Sequence, residues 1–485
     1  MSEIEVEVRW LSERGEGVAQ VQSKPVRFAD ALPGERLRVT PSRGAKSGVA
    51  TRLTTSPERV DPGCAVFGAC GGCTVRHASP ALQRAARETL LRRALREVAR
   101  DEAFRFVPAP RSDGWRGRAR LRWVTAGSRV SLGFFASGSH EVVDLPGCPV
   151  LIEPLQAALA GLRAGLGGIS RSGELSLAMG RLGPVARISP AQQPGVDGYR
   201  AVESLVGPVL GGAALRVPGS DRPTCYGDPR PVVMGGDGAP LVIGVDGFAQ
   251  SNEAVSVRVA EEIVGQAASA GREVFEFHAG AGNFTVALAK TAKRVTALEA
   301  DADAVDALRE NLAARAIENV VVRHGADDQV KGPIKAEVVV LDPPRVGARA
   351  VAELLARHPV KRVVYVSCDP ATLARDLGVL ATAYEVQSVT GFEMFPQTLH
   401  IESVVRLERR SRRGATVSLV KTPIDARFFA ESERFAFVHT CEDCTYHDRE
   451  LDRCAHGYPD ATHRRAAFAP GGPKNGMFCK EFELL

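Results

Sequence analysis

"FEFHAGAGNFTVALAK", residues 275–290, reads as an apolar strand that runs into Gly280-Ala281-Gly282 and restarts as a helix near Asn283. Two glycines let the backbone turn tightly, and they let a ligand come close to the N-terminus of the helix that follows. Glu299 closes the next apolar strand, 19 residues beyond Gly280. In a doubly wound α/β fold, a carboxylate at about that distance (~20 residues) hydrogen-bonds a ribose diol. Position 285 is threonine, so the third glycine of a dinucleotide fingerprint is missing. A nucleoside cofactor without a pyrophosphate, such as S-adenosylmethionine, fits that loop better than NAD does.

Outward from this loop, residues 241–408 alternate apolar strands with helices, the pattern of a parallel sheet. The strands are "REVFEF", "RVTALE", "AEVVVLD" and "RVVYVSC". One strand ends in Asp342-Pro343-Pro344-Arg345, where two prolines force a rigid exit. Asp342 is thereby expected on the same crevice as Gly280 and Glu299. Cys368, in "YVSCDPATLARDL", ends the following strand and reaches that crevice too. A lone cysteine is more often a buried apolar residue, but a helix start beside it favours a thiolate nucleophile. In "FPQTLHIESVVRL", His400 and Glu402 share one face of a strand. Glu402 interrupts an apolar alternation, and a carboxylate there needs a partner or a function.

The other segments are different in kind. Residues 1–57 are short strands broken by Gly-rich turns, with basic loops such as "RGAKSG", and predict a small β-barrel. Residues 58–240 hold a cysteine cluster, the Arg-rich helical stretch "LQRAARETLLRRALREVAR" and further strands. Residues 409–485 form a basic linker and a Cys/His-rich extension. The chain has 44% hydrophobic and 25% charged residues and a net charge of +5, which describes a globular protein with a mild bias toward an acidic partner. No apolar run reaches the ~20 residues of a membrane span, and the N-terminus lacks the pattern of a signal peptide, so a cytoplasmic location is expected.

Six of the ten cysteines fall in two groups. Cys64, Cys70 and Cys73, with Cys148 far along, offer thiolates only, which suits a [4Fe–4S] cluster or a four-cysteine zinc site. Near the C-terminus, Cys441, Cys444, Cys454 and Cys479 form a candidate second metal site, with His447, His456 and His463 as competing ligands.

Together these motifs resemble those of the S-adenosylmethionine-dependent RNA uracil-C5 methyltransferases, over residues 1–408. The residues that carry the resemblance are "CAVFGACGGC", "PGCPV", "FAQSN", "GAGNF", "DPPR", "SCDPATLARD" and "FPQTLHIE". It implies a Rossmann-like methyltransferase domain (241–408), preceded by an RNA-binding TRAM barrel (1–57) and a mixed central domain (58–240). It assigns Cys368 as the nucleophile that adds to uracil C6 and Glu402 as the base that removes the C5 proton. Gln250, His278, Gly280, Gly282, Asn283, Glu299 and Asp342 fall at cofactor positions, with Asp342 between cofactor and base, and Asp327 near the adenine loop. It also favours a [4Fe–4S] cluster on Cys64, Cys70, Cys73 and Cys148, in a structural role. The chain departs from the family at His278, usually tyrosine or phenylalanine, at Ala279, often cysteine, and at Glu393, usually aspartate. The C-terminal extension lies outside the family pattern.

The expected substrate is therefore a uridine in RNA, 23S rRNA ahead of tRNA, acted on by a monomer. A non-catalytic RNA-binding assembly protein would need neither Cys368 nor Glu402. A small-molecule methyltransferase would not need the basic barrel and arginine-rich stretch that phosphate neutralisation calls for.

Overall fold

The computed structural model describes residues 3–21, 24–40 and 50–410, together with strands at 420–423, 447–448, 453–454 and 475–478. The chain forms two units, residues 1–409 and 410–485.

In the first unit, the N-terminal segment makes a five-stranded antiparallel sheet. Its long strand, Ile4–Leu11, is shared: residues 4–7 pair with Arg36–Val39, and Val8, Trp10 and Leu11 pair with Ala19, Val18 and Gly17 across an irregularity at Arg9. Val8, Ala19, Phe28, Leu37 and Val39 close the core of this sheet.

The middle of the chain builds a seven-stranded, mostly antiparallel sheet. The helices Glu153–Leu166 and Val196–Leu205 bury Leu155, Leu159, Leu162, Leu166, Val202 and Leu205 in one core with its strands. Arg118–Ala126 alternates accordingly: Leu121 and Trp123 are fully buried in that core, while the arginines between them are not.

The catalytic sheet has eight strands. From one edge they run Val320–His324, Arg294–Glu299, Glu273–Phe277, Val338–Leu341, Arg362–Ser367, Glu402–Arg409, Tyr384–Phe392 and Phe104–Val107. Neighbours are parallel except around Glu402–Arg409, which is antiparallel to both of its partners. The strand order reverses between Glu273–Phe277 and Val338–Leu341, which opens a crevice at their carboxyl ends. The apolar runs are continuous because both faces are covered. Val339, Leu341, Val363 and Tyr365 pack toward the helices Arg349–Arg357 and Pro370–Leu380. Val338, Val340, Val364 and Val366 pack toward Glu253–Ala267.

The structure places some segments differently from the expected division at residue 240. The arginine-rich stretch forms the helix Pro80–Leu95, whose Leu91 and Leu95 enter the catalytic core, and Phe104–Val107 closes one edge of the catalytic sheet. The hairpin Val232–Met234 and Pro240–Val242 also packs there, through Val233 and Leu241. Nothing local in the sequence says which sheet a short strand will join.

In the second unit, Val420–Pro423 pairs with Asn475–Phe478, and His447 is in register with Cys454. Cys441, Cys444, Cys479, His456 and His463 lie outside the described residues. No helix among the described residues is long and apolar enough to cross a membrane.

Candidate active site

The parallel register sets the crevice. Phe277 is level with Leu298 and Leu341, so His278, Glu299 and Asp342 leave adjacent strands together. Ser367 pairs with Ser403 across the antiparallel strands, next in the chain to Cys368 and Glu402, which are near enough to act on each other electrostatically. Local sequence thus delivers each residue to a strand end, and strand pairing brings them together.

The glycine loop is strained as its composition requires: His278, Gly280 and Gly282 all have positive φ (57°, 57° and 97°). A Cβ on Gly282 would stand 2.4 Å from Leu308 Cδ1 on a backbone that side chains rarely adopt, so this position favours glycine. Glu299 holds the loop in place. Its Oε2 accepts from the Gly280 N–H at 2.8 Å, and its Oε1 accepts from the N–H groups of Ala300 and Asp301 at 2.8 Å each. A carboxylate has about four acceptor sites, which leaves room for a ribose hydroxyl.

Asn283 opens the helix Asn283–Ala289 and donates to Ser256 Oγ at 3.3 Å, while its own Oδ1 is buried without a partner. His278 Nε2 lies 3.4 Å from Asp327 Oδ2, its Nδ1 is buried and unpartnered, and burial lowers its pKa, so the ring is neutral near pH 7. These two orphaned atoms suit a polar ligand seated against the loop. Gln250 sits partly buried in the loop just before Asn252.

Around Cys368 the carboxyl groups crowd. The Cys368 thiol is pushed up to about 11, chiefly by burial and in the same direction by Glu402 and Asp342, with Arg345 opposing them. The expectation that the helix start would favour a thiolate is therefore not met in the free protein. Desolvation outweighs the helix, and Asp369 already takes the free N–H groups of Ala371 and Thr372. Glu402 is only 2% exposed, and burial with Asp342 nearby raises its pKa well above the carboxylate range. Burial raises Asp342 as well. One strand over, burial also lifts Glu276, which accepts from Thr285 Oγ1 at 2.6 Å.

Several further residues join the site, though the sequence reading assigned them no catalytic or cofactor role. The Arg345 guanidinium stands near enough to Cys368 and Glu402 to favour the charged form of both. Its loop is fastened by Thr372 Oγ1 donating to the Arg345 carbonyl and by Arg375 donating to the Val346 carbonyl. Asn252 caps the helix Glu253–Ala267 and donates to the Met394 carbonyl at 3.1 Å. The polar residue ahead of an apolar helix was the available hint. Glu393 pairs with the buried Arg87 at 2.6 Å and accepts from the Ala109 N–H at 3.0 Å. His400 is lowered by burial and by Arg345.

The four central cysteines do converge. Cys64, Cys70, Cys73 and Cys148 line one small cavity with Phe67, Arg76, Arg116 and Phe134. Burial raises Cys70 and Cys148, and pushes Cys73 up to about 12. Among the described residues, no three His, Cys, Asp or Glu side chains stand close enough to hold a single metal ion.

Residues 243–410 match the family model described as tRNA (uracil-5-)-methyltransferase. The chain is 34% identical over 418 residues to the 23S rRNA (uracil(1939)-C(5))-methyltransferase RlmD of Cronobacter sakazakii, covering 81% of this chain and 94% of that one. With the protein of the same name from Chromohalobacter salexigens it shares 35% over 436 residues, 84% of this chain and 90% of that one. Among solved structures, it resembles the Pyrococcus abyssi tRNA (uracil-54, C5)-methyltransferase in complex with S-adenosyl-L-homocysteine. That likeness has a TM-score of 0.66 at 21% identity, over 83% of this chain and 100% of that one.

Proposed function

This chain belongs to the RNA uracil-C5 methyltransferase family, and from that premise we propose that it methylates C5 of a uridine in 23S rRNA with Cys368 as nucleophile and Glu402 as base. The observation that carries the assignment of roles is a thiol within electrostatic reach of a buried carboxyl and of Asp342, beside the Ser367–Ser403 pair.

Uracil C5 is too weak a nucleophile to take a methyl group unaided. After its thiol proton has been lost to solvent, the Cys368 thiolate forms a bond to C6, and the C5=C6 electron pair moves toward C5 and the O4 carbonyl. S-adenosylmethionine supplies the electrophilic methyl group. C5 bonds to that methyl carbon, and the departing sulfur keeps the pair from the broken bond. The Glu402 carboxylate then takes the C5 proton; the C–H pair re-forms C5=C6, and the C6–S bond breaks with its pair returning to Cys368.

The electrostatics suit this order. When ionised, Glu402 and Asp342 oppose ionisation of the thiol and Arg345 favours it; burial raises both carboxyls, which lessens that opposition. Once ionised, a buried Glu402 is a stronger base than an ordinary carboxylate. Gln250, His278, Gly280, Gly282, Asn283 and Glu299 would seat the cofactor, with Glu299 on the ribose. The target base reaches the thiol only when flipped out of its stack.

The N-terminal five-stranded sheet is read as a TRAM-type RNA-binding module. Cys64, Cys70, Cys73 and Cys148 would hold a [4Fe–4S] cluster: the four thiols line one cavity, where Arg76 and Arg116 would offset thiolate charge. When bound, the cluster would cross-link the 64–73 loop to the central sheet. A metal site on Cys441, Cys444, Cys454 and Cys479, action as a monomer and a cytoplasmic location complete the proposal. The choice of 23S rRNA over tRNA is supported by relatives of that name along 81% of the chain, whereas the tRNA-named family model spans only 243–410.

The test is Glu402→Gln with a 23S rRNA fragment and S-adenosylmethionine. It should accumulate a methylated protein–RNA adduct on a denaturing gel, and Cys368→Ala should form none while still binding RNA. Absence of any retarded band with Glu402→Gln would remove the base assignment. Mapping 5-methyluridine in rRNA and tRNA from cells lacking the gene names the substrate.

A further inference from the structure

The residues just ahead of Glu402 are not held by the catalytic sheet alone. Gln397 adopts φ +72°, unusual for a side chain of its size, and is 7% exposed. Its carbonyl accepts from two successive N–H groups, Thr74 at 3.0 Å and Val75 at 3.1 Å, directly after Cys73. Its own N–H donates to Gln83 Oε1 at 3.1 Å, and its Oε1 accepts from Gln83 Nε2 at 3.0 Å. Gln83 Nε2 also reaches the carbonyls of Val75 and Ala78. The next residue, Thr398, gives its carbonyl to Arg87 Nε at 2.9 Å. Leu399 then packs with Leu11, Leu32, Val75 and Ala78. Only Ile401, adjacent to Glu402, joins the catalytic core.

We propose that Gln397 is a positioning residue for the proton-abstraction half of the reaction, fastening the segment that carries Glu402 to the cysteine-bearing loop through Gln83, Thr74 and Val75. A positive-φ residue persists at such cost only where surrounding bonds over-determine it, and here five hydrogen bonds to its backbone and amide do so. The fifth is its Nε2 donating to the Ser112 carbonyl at 3.4 Å. The 64–78 segment thus has a second task besides its thiols: it forms the anchorage of the base. Methyl transfer, which depends on Cys368 across the strand pair, does not pass through this anchorage.

The inference rests on Glu402 being the base. The test uses the full chain with Gln397→Gly, which tolerates the positive φ and removes only the amide contacts, and Gln397→Asn, which also tolerates it but reaches less far. Gln83→Leu removes the partner from the other side. Adduct decay and methyl transfer are followed separately in single-turnover experiments. The expected result is that adduct decay slows by about 10- to 100-fold in Gln397→Gly and Gln83→Leu, with partial recovery in Gln397→Asn. Methyl transfer, S-adenosylhomocysteine affinity and iron content should stay at the wild-type level. Combining the two substitutions should add little to either alone. Unchanged adduct decay in a folded Gln397→Gly, or equal slowing of both half-reactions, overturns the proposal. If Gln397→Gly does not fold, Gln83→Leu carries the same two outcomes. Should Glu402→Gln itself trap no adduct, the base assignment fails first, and that result is distinct from failure of Gln397 alone.

Discussion

The Tyr365 hydroxyl donates a 2.6 Å hydrogen bond to Asp376 Oδ2, joining the strand that delivers Cys368 to the helix that starts two residues after it. Both side chains are fully buried, and Oδ2 also accepts from the Ala348 N–H at 2.8 Å, which closes the loop bearing Arg345. A buried carboxylate with that many donors has little tolerance for losing one. Tyr365→Phe should cost about 1.5–3 kcal/mol, the value of a hydrogen bond to a charged group. Urea unfolding followed by tryptophan fluorescence would measure it, and an unchanged midpoint would mean the contact is incidental.

Cys368 predicts the pH dependence of catalysis. Because its pKa is pushed up to about 11, the thiolate fraction rises with pH across the accessible range. Methyl transfer in single-turnover assays should climb roughly tenfold per pH unit between about 7 and 9 where ionisation is limiting, with no plateau. Arg345→Leu should lower the whole curve, since the cation that favours ionisation is gone. A plateau beginning near pH 7 in the wild type would show that substrate binding resets the thiol.

Glu276 predicts the pH dependence of stability. Its folded-state pKa is about 8 against an ordinary value of 4.5, chiefly because burial disfavours the charge, with Asp342 and Glu299 adding to it. The folded protein therefore binds this proton more tightly than the unfolded chain does. Its contribution is complete below about pH 4.5 and is lost as pH rises through about 8, with a slope of at most ~1.4 kcal/mol per pH unit. Glu276→Gln, which mimics the protonated acid, should flatten the fall in melting temperature between pH 5 and 8. An equally steep fall in the variant would move the effect to other groups.

Gly282→Ala tests the cofactor loop. The added methyl would meet Leu308 at 2.4 Å on a backbone with φ +97°, so either Leu308 or the turn must shift. The dissociation constant for S-adenosylhomocysteine should rise about tenfold or more, and the protein should lose ~1 kcal/mol or more of stability. Calorimetric titration alongside thermal melting separates the two. Wild-type affinity would show that the turn contributes little to the cofactor seat.

The strand ends were legible in the sequence because their signals are local. A continuous apolar run followed by Gly280, Asp342 or Cys368 announces a covered parallel strand and its exit, and chain order does the rest. What decided the remainder was distant. Gln83 and Gln397 are 314 positions apart, and neither carries a pattern that names the other. Phe104 and Phe106 alternate like any half-buried strand, so they could not say that their partner would be Tyr384–Phe392. The thiolate expectation for Cys368 failed for the same reason. The helix start lies within two residues, but the burial and the carboxyls that oppose it come from Asp342 and Glu402. Cys64, Cys70, Cys73 and Cys148 line one cavity although Cys148 stands far from the rest in the chain, a meeting that spacing alone does not announce.

The strand Phe104–Val107 has a consequence for how the molecule is made. It leaves the ribosome some 280 residues ahead of the strand it must lie beside, so for most of synthesis the aromatic pair waits without a neighbour. Completion of the catalytic sheet is therefore a late event that draws the beginning of the chain back onto its end. A fragment cut to residues 243–410 would keep every residue assigned to the chemistry and yet present a bare, hydrogen-bond-hungry flank, inviting self-association in place of activity.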